Sequence, residues 1–154
     1  MIYLSRKIDT FLNNWKGSPD RKPLVVRGPR QVGKMESVSR FGAKNYENVI
    51  YINFVEEPKY KTVTTDGYKT DDVIRNISRI DPTKRFITGK TLIFFDELQE
   101  FPDIAAALKF FQIDGRFDVI CSGSMLGINY RKIESNSVYF CTFLLKRYLK
   151  RCPS

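Results

Sequence analysis

The feature that most constrains the fold is a strand-like run that leads directly into a glycine-spaced loop. Residues 24–27 read LVVR, a short run rich in β-branched residues that is typical of a buried strand. GPRQVGK, residues 28–34, follows without a break. Between a strand and a helix, such a loop directs successive backbone N–H groups toward phosphate oxygens, and the helix N-terminus adds partial positive charge. The pattern predicts a phosphate-binding loop; the alternative is a plain turn.

The end of this loop departs from the usual pattern. Lys34 is placed to reach the β- and γ-phosphates, but the next position holds Met35 instead of the serine or threonine that ligates magnesium directly. A thioether is a soft, weak ligand, whereas magnesium prefers hard oxygen ligands. We therefore expect phosphate binding to be retained and the direct metal ligand to be lost. The predicted binding residues are Gly28, Pro29, Arg30, Gln31, Val32, Gly33, Lys34 and Met35.

A second motif is the apolar run of residues 92–95, which ends in two acids, Asp96 and Glu97. In α/β sheets, ligands bind at the carboxyl ends of the strands. Asp96 is predicted to help hold Mg²⁺, commonly through water, and Glu97 to polarise an attacking water molecule. The alternative is a strand followed by an acidic helix cap.

A third motif, Cys-Ser-Gly-Ser at residues 121–124, closes another strand-like run. Ser124 or Ser122 is placed to hydrogen-bond the γ-phosphate or the attacking water. The alternative is an ordinary Gly-Ser turn.

Predicted strands and helices alternate along the chain, which indicates a parallel α/β sheet covered by helices on both faces. The predicted strands are residues 24–27, 48–54, 91–95 and 117–121, and the predicted helices are 5–16, 33–44, 71–80 (capped by Thr70 or Asp71) and 103–111. The pattern fades after Gly127, and no companion strand is predicted beyond it. In residues 144–151, LLKRYLKR, the apolar residues have helical spacing, which predicts a basic amphipathic helix. Such a helix suits a membrane surface or nucleic acid; the alternative is a helix packed on the core with a solvated basic face.

Taken together, the runs RKPLVVRGPRQVGK, NVIYINF, FFDELQE, LKFF and SGSMLG resemble the prokaryotic AAA-type P-loop ATPases. More narrowly, they resemble the group with a Gly-x-Arg-Gln-Val-Gly-Lys loop and a C-terminal domain of poorly known function. The resemblance covers residues 1–128.

This resemblance implies a P-loop NTPase core of the AAA type, with the acid-rich strand beside the loop strand. It implies ATP and Mg²⁺ as cofactors, Lys34 on phosphate, Asp96 supporting magnesium, Glu97 as catalytic base and Ser124 (or Ser122) as the polar sensor. The expected division is an N-terminal helix and linker (1–22), an ATPase core (23–128) and a divergent basic tail (129–154). Relative to the family pattern, the core is expected to be incomplete after the sensor strand.

Composition and charge limit the other functions. The chain of 154 residues has no histidine, which excludes a Ser-His-Asp mechanism within it and argues against the common zinc sites. The three cysteines show no Cys-x-x-Cys pair, and we expect buried or free thiols in a cytoplasmic protein without a transmembrane segment. Basic residues exceed acidic ones by nine to three in residues 1–40 and by six to one in residues 129–154.

Three readings of function follow. In the first, the chain is an ATP-binding domain whose hydrolysis is weak or absent, and an ATPase if it is active. A homo-oligomer whose neighbouring subunit supplies an arginine is consistent with this reading. In the second, it is a non-catalytic module whose basic ends bind nucleic acid or a protein partner. In the third, it is a truncated remnant of an ATPase with no independent role.

Overall fold

The computed structural model describes residues 2–28, 34–124, 138–143 and 149–150; for residues 2–7, 34, 140–143 and 149–150 it describes the backbone alone. The described helices are α1 (Ile2–Gly17), α2 (Lys34–Asn45), α3 (Thr70–Ile80) and α4 (Ile104–Asp114). The described strands are β1 (Leu24–Arg27), β2 (Asn48–Asn53), β3 (Thr91–Asp96), β4 (Asp118–Gly123), β5 (Tyr139–Phe143) and β6 (Leu149–Lys150). Short 3₁₀ helices occupy Pro58–Thr62 and Leu98–Glu100.

In the described part of the chain, the strands form one sheet in the order β2-β3-β4-β1-β5-β6. All neighbouring pairs are parallel except β5 with β6. After β1 the chain crosses to β2 at the edge of the sheet and then returns through β3 and β4 toward β1. Because crossovers between parallel strands are right-handed, outward and returning helices belong on opposite faces of the sheet.

The two hydrophobic clusters agree with this rule. Helices α1 and α2 cover one face, where the Trp15 and Phe41 side chains pack with Leu24 and Phe94. Helices α3 and α4 cover the other face, where Ile77 and its neighbours pack with residues such as Phe95. Successive strand residues alternate between the faces, so Phe94 and Phe95 belong to different clusters although they are adjacent in sequence. All six residues of β3 are buried, as expected for a strand covered on both sides.

The predicted helices and the four predicted strands are confirmed, with ends that differ by a few residues. The predicted apolar stripe of the first helix is buried: Ile8, Phe11, Leu12 and Trp15 are each at most 9% exposed. The predicted cap of α3 is wrong, because Lys69 occupies the N-cap position and makes no side-chain capping bond. None of the described helices is both long and apolar enough to cross a bilayer.

The expected position of the acid-rich strand is also wrong. β3 is not beside β1, because β4 lies between them and pairs with both. The physical reason is the path of the chain. It returns from the far edge one strand at a time, so the last returning strand is the one that reaches β1.

The end of the chain contributes to the sheet, contrary to expectation. β5 pairs in parallel with β1, with Val25 opposite Phe140, so a companion strand is present after Gly127, where none was predicted. The helical interpretation of residues 144–151 is wrong for Leu149 and Lys150, which form an antiparallel pairing with β5. The remainder of that segment, residues 144–148 and 151, lies outside the described residues. The β5 run, YFCTF, is rich in aromatic residues and carried a strand signal that the prediction missed. The two-residue β6 carries little local signal, and its pairing depends on β5.

Candidate active site

The junction between β1 and α2 is the centre of the candidate site. β1 ends at Arg27 and α2 begins at Lys34, so the predicted phosphate loop connects a buried strand to a helix N-terminus. Gly28 is buried, and its backbone N–H donates a hydrogen bond of 3.2 Å to the carbonyl oxygen of Gly123. This bond attaches the start of the loop to the end of β4. Pro29, Arg30, Gln31, Val32 and Gly33 lie outside the described residues, as does the side chain of Lys34.

Asp96 is the last residue of β3 and is 6% exposed. It lies opposite Asn53 of β2. On the other side of β3, Phe95 pairs with Cys121 of β4. Asp96 and Ser122 are the next residues of these two strands, so they lie at the same level of the sheet. The structure thus brings the acidic motif and the serine motif together at the carboxyl edge, where β1 also ends.

The Tyr51 hydroxyl connects Asp96 to the first turn of α2. It lies 2.7 Å from Oδ2 of Asp96 and 3.3 Å from Sδ of Met35. Asn53 donates to the same hydroxyl from its side-chain amide, at 3.2 Å. Burial, followed by the hydrogen bond to Asp96, raises the pKa of Tyr51 above its ordinary value, so the phenol is protonated at neutral pH. The side chain of Tyr51, a residue of β2, therefore contacts both Met35 at the start of α2 and Asp96 at the end of β3.

Glu97 follows Asp96 in a left-handed backbone conformation, with φ of 59° and ψ of 49°. Among the described residues it is the one non-glycine residue with positive φ. Its backbone N–H donates to Oδ1 of Asp96 at 2.8 Å. This conformation costs a non-glycine residue about 1–2 kcal/mol, and such strain is concentrated at functional sites.

Gln99 links Glu97 to the end of β4. Its side-chain amide donates to Oε2 of Glu97 at 2.5 Å, and its carbonyl oxygen accepts a bond of 3.0 Å from the backbone N–H of Ser124. The two residues predicted to be catalytic, Glu97 and Ser124, are therefore joined through one glutamine.

The donor set fits a magnesium ion only in part. Asp96 presents a carboxylate, a hard ligand of the kind that magnesium prefers, at the carboxyl edge of the sheet. Met35 is 52% exposed and presents a thioether, which does not replace a hydroxyl. The described residues therefore suit a metal held through Asp96 and through phosphate oxygens, without a direct ligand from position 35.

Three side chains of the site were not predicted from the sequence. Asn53 could have been predicted from the sequence, because it is a polar residue at the end of an apolar strand, as Asp96 is. Tyr51 could not, because an aromatic residue inside a strand usually indicates core packing. Gln99 lies two residues after Glu97 in the 3₁₀ helix Leu98–Glu100, and its contacts depend on where β4 ends.

Comparisons with known proteins add to this geometry. A family model described as an AAA domain matches residues 20–139. No curated protein matches the sequence.

Among solved structures, the Aeropyrum pernix ORC1 protein in complex with DNA aligns with a TM-score of 0.52 at 14% identity, covering 91% of this chain and 44% of that one. A chain of Drosophila ORC bound to DNA gives 0.57 at 8% identity, covering 97% and 94% respectively. C. elegans PCH-2 gives 0.50 at 10% identity, covering 92% and 39%. The chain thus spans less than half the length of the first and third of these structures, and at these identities the likeness concerns the fold.

Proposed function

The chain belongs to the AAA domain family, and from that premise we propose that it binds ATP at the β1–α2 junction and hydrolyses it slowly or not at all. The observation that carries the proposal is the meeting of three motifs at one sheet edge. Gly28 is bonded to Gly123, Gln99 joins Glu97 to Ser124, and Asp96 ends the strand beside β4.

The loop of residues 28–34 supplies the phosphate grip in this proposal. Its backbone N–H groups and the N-terminus of α2 offer partial positive charge, and Lys34 adds a full charge for the β- and γ-phosphates. The hydrogen bond from Gly28 to Gly123 supports this role, because it attaches one end of the loop to a buried strand.

Asp96, Glu97 and Ser124 are the proposed residues for hydrolysis. Where magnesium is bound, the ion would neutralise charge that develops on the phosphates, and Asp96 would support it. Glu97 would orient the attacking water, and Ser124 or Ser122 would contact the γ-phosphate or that water. The Gln99 bridge supports a joint role for Glu97 and Ser124, since it sets their relative position.

Met35 is the reason to expect slow turnover. Hydrolysis depends on the placement of the metal as well as on phosphate binding. A thioether at this position leaves that placement to Asp96 and the phosphates.

Titration calorimetry with ATP, with and without Mg²⁺, tests the binding proposal. We expect binding that Lys34→Ala reduces at least tenfold, because the proposal assigns the lysine charge to the β- and γ-phosphates. Lys44→Ala is the matched control, because Lys44 is an exposed lysine near the other end of the same helix and its loss should leave the affinity unchanged. A folded chain that binds no ATP, or binds it equally well after Lys34→Ala, would refute the proposal.

The same variants separate ATP binding from the alternative of a nucleic-acid module. Two of the similar structures contain DNA, and both ends of this chain are basic. DNA binding that weakens steeply with salt and is unaffected by Lys34→Ala would favour that alternative.

A further inference from the structure

The Tyr51 hydroxyl lies between the carboxylate of Asp96 and Met35 in the first turn of α2. The ring extends from β2 and packs edge-on against the buried ring of Phe94, with centroids 5.2 Å apart and planes at 61°. This packing holds the ring in the direction of α2. The hydroxyl then lies within 3.3 Å of Met35, Asp96 and Asn53.

The hydroxyl has a single proton, so only one of its acceptors receives it. A carboxylate is a much stronger acceptor than a thioether, and the Asp96 contact is the shorter of the two, 2.7 Å against 3.3 Å. The amide of Asn53 donates to a lone pair of the same oxygen. Tyr51 therefore donates its proton to Oδ2 of Asp96. The sulfur of Met35 contacts the hydroxyl oxygen without receiving the proton.

The hydrogen bonds that Asp96 already accepts affect how its carboxylate could bind a metal or a metal-bound water. Oδ1 of Asp96 accepts the backbone N–H of Glu97, and Oδ2 accepts the Tyr51 hydroxyl on the side facing α2. A metal-bound water that approached Oδ2 of Asp96 from α2 would compete with the phenol for that side of the oxygen. Position 35 supplies no oxygen that would assist this exchange.

We propose that Tyr51 is a positioning residue that holds Asp96 in place of a magnesium-bound water, so that this site binds nucleotide with little dependence on magnesium. The inference rests on the proposed function and defines its metal requirement. The hydroxyl of Tyr51 supplies a hydrogen bond to Asp96 that the thioether of residue 35 cannot make.

The test is the ratio of ATP dissociation constants measured in EDTA and in Mg²⁺, by titration calorimetry. In the unmodified chain we expect the two constants to agree within about twofold. Tyr51→Phe removes the hydroxyl but keeps the ring on Phe94, and we expect magnesium then to tighten binding about tenfold, the scale of a hydrogen bond to a charged group.

Tyr46→Phe is the matched control. Tyr46 also donates its hydroxyl to an aspartate, Asp118, but at the opposite end of the sheet. Its loss should leave the ratio unchanged, whereas a merely structural effect of losing a tyrosine hydroxyl would change both variants alike. Circular dichroism melting of each variant identifies any that fails to fold, and Tyr51→Leu provides a second variant without the hydroxyl.

The outcomes separate this inference from the proposed function. If the unmodified chain binds no ATP in either buffer, the proposed function is wrong. If it binds ATP through Lys34 but the ratio is the same before and after Tyr51→Phe, the role of Tyr51 is wrong while the proposed function stands. A strong magnesium requirement in the unmodified chain would also overturn the role of Tyr51.

Discussion

Tyr46 and Asp118 are joined by a hydrogen bond of 2.6 Å from the phenol to Oδ2, and Nε of Arg21 donates to Oδ1 of the same carboxylate at 2.8 Å. These bonds tie the segment before β1 and the end of α2 to the first residue of β4. Burial, then the bond to Asp118, raises the pKa of Tyr46, so the phenol stays a donor. The network lies at the amino ends of the strands, away from the candidate site.

Tyr46→Phe is expected to lower the free energy of unfolding by about 1–2 kcal/mol, because a partly buried carboxylate loses one of its donors. Urea denaturation monitored by circular dichroism measures the change. Asp118→Asn should cost more, since it also weakens the ion pair with Arg21. An unchanged midpoint for Tyr46→Phe would mean that water replaces the phenol at no cost.

Tyr60→Phe is expected to have the opposite sign. The Tyr60 side chain is fully buried, and its hydroxyl has no hydrogen-bond partner in the described part of the chain. A buried, unsatisfied hydroxyl costs about 1–3 kcal/mol, so its removal should raise the free energy of unfolding by about 1 kcal/mol. The same urea experiment measures it. A loss of stability would show that the hydroxyl is satisfied in solution.

Gly42→Ala tests the packing of α2 on the sheet. A Cβ at Gly42 would lie 2.9 Å from Cγ2 of Val49 and 3.1 Å from Cδ2 of Leu92, both closer than normal contact. Overpacking costs about 1–3 kcal/mol, and better helix propensity returns about 1 kcal/mol, so we expect a net loss of about 1 kcal/mol. Gly17→Ala is the control, because no atom of the described residues lies within 4 Å of its added Cβ. If Gly42→Ala raises the free energy of unfolding, α2 can shift away from the sheet at a lower cost than these distances indicate.

The backbone of Glu97 gives a prediction that compares two variants. Glu97→Gly and Glu97→Ala both remove the carboxylate and its bond to Gln99, but only glycine adopts the left-handed conformation without strain. The glycine variant should therefore be more stable than the alanine variant by about 1 kcal/mol. Thermal unfolding of the pair measures the difference. Equal stabilities would indicate that the segment relaxes to negative φ once the carboxylate is removed.

Met35→Thr places a hydroxyl oxygen, which can ligate magnesium, at the position after Lys34. We expect the steady-state rate of phosphate release to rise about tenfold, the scale on which ligand support affects metal sites. Adding Tyr51→Phe should raise it further, because Asp96 is then released from the phenol.

Met35→Leu is the matched control for this prediction, since leucine has similar volume and no oxygen. Equal gains from the threonine and leucine variants would show that side-chain shape, and not metal ligation, limits turnover. No gain from either variant, alone or with Tyr51→Phe, would place the defect elsewhere in the site.

Local patterns determined much of the fold. The four-residue strand before the loop, the fully buried β3 and the apolar stripe of α1 each follow from residue spacing within a single segment. The family came from the resemblance of several short runs, and the match of an AAA domain model to residues 20–139 confirms it at that level. The narrower group with a Gly-x-Arg-Gln-Val-Gly-Lys loop stays a prediction. Cys121, predicted to be buried or free, is a fully buried free thiol whose burial raises its pKa.

Only the tertiary structure decided the order of the strands and the contacts at their ends. The insertion of β4 between β3 and β1, the pairing of β5 with β1 and the meeting of Tyr51 with Met35 and Asp96 join segments far apart in sequence. Such contacts leave no periodic trace, because a side chain's neighbours across a sheet are set by the path of the whole chain. The sequence alone therefore showed that residue 35 lacks a hydroxyl, and the fold showed that Tyr51 brings one to Asp96 from another strand.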